Sequence, residues 1–210
     1  MTASNSPRMS ARLSTAGAAA LVLTGVAACS SSGGTTPTSS AHVSVPTTVT
    51  AAPTPTPSTS APDGSLTSSD KTFSLVAPTG WKKLTAKPAT LALKAPKPQD
   101  QVTTNFNVVV QSPQPVPALD DVVTQAEIAW RQQGVHIKDK PDRTIGGLPA
   151  RGYTFDRKAQ GAEFTQTQYF VVFRSHVYSM TMTSASSSEA SAGADQALSA
   201  IFSTWAWKQR

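Results

Sequence analysis

The sequence predicts an α+β fold, a mostly antiparallel sheet flanked by helices, set behind a leader and a long uncharged tether. Three observations point there. Apolar and polar residues alternate in several runs after residue 70, two longer stretches repeat apolar residues at helical spacing, and glycines or prolines punctuate the intervals. Strands that follow one another across short breaks pair as antiparallel neighbours. Residues 1–28 read as a signal peptide, 29–63 as a disordered tether and 64–210 as one globular domain.

Arg8 and Arg12 precede "LSTAGAAALVLTGVA" (Leu13–Ala27), an apolar run too short to span a bilayer stably, and small residues lead from it to Cys29. Cys29 is the single cysteine of 210 residues. It excludes an internal disulfide, and no CxxC or Cys/His cluster offers a zinc or redox site. Val26-Ala27-Ala28-Cys29 resembles the lipobox of bacterial lipoproteins. That resemblance implies cleavage before Cys29, a diacylglycerol on its sulfur, and a protein held to the extracytoplasmic face of the cell membrane. Two or three acyl chains hold far more firmly than one, since each buried methylene contributes roughly 0.8 kcal/mol. An uncleaved signal anchor is the other reading of the run, and its length suits that poorly.

Residues 30–62 carry no charge, no aromatic and no aliphatic larger than three valines. Such a segment buries too little to offset ordering the chain, and Pro53, Pro55 and Pro57 favour extended polyproline-like conformations. The Ser/Thr density also suits O-glycosylation, and His42 reads as solvent-exposed filler. The formal charge is +6, and removing Arg8 and Arg12 with the leader leaves +4. A mildly basic chain that leaves the cytoplasm does not point to nucleic acid; an anionic membrane or wall polymer is the counter-charge it meets.

In the domain, "KTFSLVAP" places Phe73 and Leu75 on one side of a first strand, and Pro78-Thr79-Gly80 turns the chain into Trp81. "TLALK" is a second strand. "TTNFNVVVQ" sets Phe106, Val108 and Val110 against Asn105 and Asn107, and Pro113, Pro115 and Pro117 end it. Leu119, Val122, Val123, Ala126 and Trp130 then recur at helical spacing, with Asp120 and Asp121 in the first turn and Gly134 as a stop. Four further strands follow, broken at Gly146-Gly147, near Gly161 and tightly at Ser175-His176. The run Tyr169 to Phe173 is apolar on both faces, so it belongs inside a covered sheet. A final helix starts at a Ser186/Glu189 capping box and shows a stripe of Ala190, Ala194, Ala197, Ile201 and Trp205.

Phe73, the Pro78-x-Gly80-Trp81 turn, the Gly147-Leu148-Pro149-Ala150 step, the closing hairpin and the aromatic-ended last helix together resemble the LpqN/LpqT family of actinobacterial lipoproteins. The resemblance covers about residues 66 to 207. It implies the α-β-α sandwich shared with PsbP and the Mog-type Ran-binding proteins, and an envelope lipoprotein without known enzymatic chemistry.

No G-x-S-x-G elbow, phosphate-binding glycine loop or HExxH occurs, and no cofactor or metal is expected. His136 and His176 read as turn histidines, Glu127 and Glu163 are too scattered for a carboxylate pair, and Asp120-Asp121 is helix-start electrostatics. Two features remain. Lys71, Lys82, Lys83, Lys87, Lys94 and Lys97 lie in a stretch with no acid between Asp70 and Asp100, which suggests a membrane or polymer contact centred on Lys82, Lys83 and Lys87; a merely solvated lysine face is the competing reading. Trp81, Tyr178, Met180, Met182, Trp205 and Trp207 read mostly as core. Trp207, two residues after Trp205 on a helix end, falls on another face and is the candidate exposed contact for a partner. The expectation is a lipid-anchored, non-catalytic envelope module that binds a protein or lipid partner. A hydrolase of envelope substrates and a small-ligand carrier are its rivals.

Overall fold

The alternating runs are realised as strands in a computed structural model that describes residues 56–57, 60–159 and 161–208. Cys29, its preceding Val26, Ala27 and Ala28, and nearly all of the tether lie outside the described residues. Two sheets form. The larger holds seven antiparallel strands in the order β3 (Lys82–Leu84), β4 (Leu91–Lys94), β5 (Asn105–Gln111), β9 (His176–Ala185), β8 (Ala162–Phe173), β7 (Leu148–Ala159) and β6 (Lys138–Ile145). The smaller joins β1 (Leu66–Thr67), β2 (Phe73–Leu75) and β10 (Ala206–Trp207), with β2 in the middle.

Side chains one residue apart on a strand point to opposite faces, so register sorts the large sheet into two surfaces. One carries Leu91, Leu93, Phe106, Val108, Tyr178, Met180, Met182, Tyr169 and Val171, and it is covered by α2 (Ser188–Ser203) and the small sheet. The other meets α1 (Leu119–Arg131), which packs on β7 and β8. There Trp130 lies 4.6 Å from Phe155 between ring centroids, and its Nε1 donates to Gln168 Oε1 at 3.3 Å. Tyr153 Oη donates to the same Gln168 oxygen at 2.7 Å, so one buried amide accepts from both aromatic donors under α1. The architecture is α-β-α, as expected.

Both helices follow the predicted spacing, with corrections at their ends. α1 buries Val122, Val123, Ala126 and Trp130, and its chain stops at Gly134, whose φ of 75° suits glycine. α2 buries Ala190, Ala194, Leu198, Ile201 and Phe202, while Ala197 is only half-buried. The expected Ser186/Glu189 capping box does not form. Ser187 is the N-cap residue, and its hydroxyl donates to Asp100 at 2.6 Å instead of to the helix's own first turn. The tight hairpin lies at Arg174-Ser175, one residue earlier than expected, with Arg174 at φ 56°, so His176 opens a strand.

The expectation for Trp207 is overturned. The helix ends at Ser203 and the chain becomes extended, where residues two apart share a face instead of diverging. Trp205 and Trp207 therefore both turn inward, and Trp207 is fully buried. Its Nε1 donates to Ile145 O at 3.0 Å, and its ring meets Tyr178 at 4.8 Å and Trp205 at 5.2 Å. Gly146 makes room: at φ 56°, a Cβ there would stand 2.7 Å from Trp207 Nε1. Gly152 does the same within the sheet, where a Cβ would meet Gln168 O at 2.1 Å and the Tyr169 ring at 2.8 Å.

Two substitutions test this packing by urea denaturation. Trp207→Ala is expected to cost about 3–5 kcal/mol, as for a large aromatic removed from a core. Gln168→Leu leaves the Trp130 and Tyr153 donors buried without an acceptor and is expected to cost about 1–3 kcal/mol for each of them.

Candidate functional site

Basic side chains are engaged along the later part of the domain and bare along its first strands. From α1 to β9 every lysine and arginine has a partner. Arg131 pairs with Glu127, Lys138 with Asp156, Lys140 with Asp195 at 2.8 Å, and Lys158 with Glu163. Arg151 pairs with Asp120 at 2.7 Å and with Asp142 at 3.4 Å, and Arg143 bonds Tyr169 Oη and Ser199 Oγ. Arg157 and Arg174 lie over the rings of Trp130 and Phe173. Among the described residues, none of Lys71, Lys82, Lys83, Lys87, Lys94 and Lys97 makes a side-chain hydrogen bond or ion pair, and all six are exposed.

The expected trio of Lys82, Lys83 and Lys87 does not share a face. Lys82 and Lys83 are neighbours on the edge strand β3 and point to opposite sides, and Lys87 lies in the loop that follows. Register joins Lys82 to a different lysine. Lys82 stands opposite Lys94, and the row continues through Asn105, Thr183 and Gln166 to Phe155. The next row on that face runs Leu84, Ala92, Asn107, Thr181, Gln168 and Tyr153. α1 covers the β7–β8 end of these rows, and Asn105, Asn107, Ser179 and Thr183 beyond it are half-buried. Sequence reasoning assigns Asn105 and Asn107 to the solvent side of a strand, and only pairing brings them beside Lys94 and Lys82.

The histidines do not meet. His136 is exposed in the loop after α1, and two residues later Lys138 enters the row of Met182. His176 begins β9 at the opposite end of the sheet, with Nδ1 3.4 Å from Ser175 Oγ. Asp120 is held by Arg151, so the acid expected at the helix start also ties α1 to β7. Among the described residues, no three His, Cys, Asp or Glu side chains converge, and no helix is long and apolar enough to cross a membrane. A shallow cleft of about 370 Å³ opens between Asp100, Gln101, Glu163, Ser186 and Ser187. Its acids are occupied: Asp100 accepts from Ser187, and Glu163 pairs with Lys158.

The sequence matches no protein-family model and no curated protein. Solved structures do resemble the fold. LpqN of Mycobacterium tuberculosis, described as involved in cell envelope biogenesis, superposes with a TM-score of 0.52 at 14% identity, over 65% of this chain and 83% of that one. The PsbP protein of Synechocystis sp. PCC 6803 gives 0.44 at 12% identity over 68% and 91%. The Ran-binding protein Mog1p of Saccharomyces cerevisiae gives 0.47 at 9% identity over 70% and 95%. At these identities the likeness concerns the fold, and the superposition on LpqN carries it.

Burial pushes the phenols of Tyr153 and Tyr178 above their ordinary value; for Tyr153 the nearby Glu127 carboxylate acts in the same direction. An unfolded tyrosine releases its proton near pH 10, while the folded ones keep theirs to higher pH. Their contribution is complete below about pH 10 and is lost as pH rises through the folded values. Urea midpoints measured from about pH 9 to pH 11 are expected to fall, with a shallower fall in Tyr153→Phe.

Proposed function

We propose that this chain is a lipid-anchored envelope protein of the LpqN/LpqT kind, held at the extracytoplasmic face by an acylated Cys29. In this reading its α+β domain binds a protein partner or a hydrophobic envelope component and performs no covalent chemistry. The observation that carries it is the run Val26-Ala27-Ala28-Cys29, placed between an apolar leader and an uncharged Ser/Thr/Pro-rich stretch that joins it to the domain. The fold likeness to LpqN, a protein named for cell envelope biogenesis, supports the same direction. Fold alone does not deliver a function, so the anchor carries the weight.

A binding role also suits how the side chains are used. The aromatic and thioether residues that would line a reactive pocket are spent in the core, including Trp205, Trp207, Met180 and Met182. His136 and His176, the residues a hydrolase would use, lie toward opposite ends of the sheet. The unpaired lysines supply an exposed surface suited to an anionic neighbour.

Expression in a lipoprotein-processing host followed by fractionation tests the anchor. The parent chain is expected in the membrane fraction, with a mass raised by acyl groups on a peptide beginning at Cys29. Cys29→Ser is expected to lose that mass and leave the lipoprotein pool. An unmodified Cys29 in the membrane fraction would identify the leader as a signal anchor instead.

A further inference from the structure

We infer that the α1-side face of β3, β4, β5 and β9 binds an anionic, hydroxyl-bearing polymer, such as polyol units joined by phosphodiesters. Lys82 and Lys94 meet its anions, and Asn105, Asn107 and Ser179 meet its hydroxyls. The inference rests on the envelope reading above, since an extracytoplasmic chain is the one that meets such a polymer.

Charge is the first argument. Lys82 and Lys94 are direct cross-strand partners, and like charges so placed repel unless an anion lies between them. On this face β3, β4, β5 and β9 present Lys82, Leu84, Ala92, Lys94, Asn105, Asn107, Val109, Gln111, Val177, Ser179, Thr181 and Thr183, with no acid among them. The nearest acid along the chain, Asp100, is turned to Ser187 at the start of α2. Of the eight lysines and arginines from α1 to β9, Arg131, Lys138, Lys140, Arg151 and Lys158 pair with acids, and Arg143, Arg157 and Arg174 contact hydroxyls or rings.

Hydrogen-bonding capacity is the second. Asn107 and Ser179 are half-buried, and their side chains make no hydrogen bond within the described residues. Asn105 gives one amide hydrogen to Thr103 O at 3.1 Å, leaving its carbonyl oxygen free to accept. Thr183 and Thr181 accept from Gln166 and Gln168, both at 3.2 Å, which holds these rows in place. From Lys82 to Thr183 the row crosses three strand spacings of ~4.8 Å, roughly 14 Å, room for a short segment of the polymer, and Gln166 beyond it is buried.

Shape decides between polymer and bilayer. The face carries the half-buried Ser179 and Thr183, the buried Ala92 and Thr181, and the half-buried Leu84 and Val109, and α1 stands along one side of it. A helix beside a floor of mostly small side chains suits a thin chain lying along it better than a planar membrane. The one large hydrophobic side chain exposed among the described residues, Ile128, is on α1 and not on this face, where Leu84 and Val109 are half-buried.

The test uses the full chain carrying Cys29→Ser, so that acyl insertion does not mask the surface. Binding is measured to poly(glycerol phosphate), to neutral dextran, and to vesicles of equal parts phosphatidylglycerol and phosphatidylcholine. The polymer is expected to bind and to weaken as salt rises, with dextran and vesicles weaker. Lys82→Gln with Lys94→Gln is expected to lose about tenfold or more, and Asn107→Ala about threefold. Lys138→Gln, an exposed lysine paired with Asp156, is expected to bind as the parent does. Unchanged binding in the double lysine variant, equal binding of dextran, or no polymer binding overturns the inference. Vesicle binding tighter than polymer binding and lost with Lys82 and Lys94 overturns it in favour of a membrane surface. None of these outcomes touches the anchor, which the fractionation of Cys29→Ser judges separately.

Discussion

The indole of Trp207 sits where the last strand, the β6–β7 turn and the covered face of the large sheet converge, and closure of the domain depends on its being there. Its Nε1 donates to Ile145 O, its ring lies against Tyr178, and its backbone pairs with Phe73 of β2. Phe73 in turn stacks on Trp205 at 4.3 Å with ring planes 11° apart. The first and last parts of the folded domain are thus bound to each other through aromatic surface and a short strand pair. Thr204 Oγ1 accepts from Val76 N, and Lys208 N donates to Thr72 O, extending the same seam on either side. Gly146 is required by this closure, because a side chain there would occupy the space of the indole.

The opposite layer depends on a different economy of groups. α1 has few contacts to hold it, and it is fixed by Trp130 against Phe155, by Gln168 accepting from Trp130 and Tyr153, and by Arg151 reaching Asp120. The buried amide carries more of this than the ion pair, since Arg151 and Asp120 are substantially exposed and such pairs contribute little in water. Covering only β7 and β8 leaves the rest of that face to two lysines, to Asn, Thr and Ser side chains, and to Leu84, Ala92, Val109 and Val177. The domain is therefore apolar on one side of its sheet and mixed polar and apolar on the other.

Much of the fold was legible because period-two and period-3.6 patterns record which face of an element is buried. Phe106 and Val108 against Asn105 and Asn107, and Val122, Val123, Ala126 and Trp130, appear in the structure as the spacing predicts. Errors fell at element ends. Ser186 and Glu189 satisfy a capping pattern, yet Ser187 found Asp100, a partner distant in sequence. Trp205 continued an apolar stripe, yet the helix stopped before it, and one change of period reversed the reading of Trp207. Sequence also marked the lysine-rich stretch without its geometry, since adjacency along β3 separates Lys82 from Lys83 while pairing with β4 joins Lys82 to Lys94.

By itself the sequence determined the α+β class, most strands, both helices, the lone Cys29 and its lipobox-like setting, because these rest on local periodicity, composition and a contiguous motif. Tertiary structure alone decided the burial of Trp207, the sharing of Gln168 between two donors, and the row that sets two lysines beside asparagine and threonine. Each of those depends on strand order and register, which bring together residues tens of positions apart and are settled by the packing of the whole sheet.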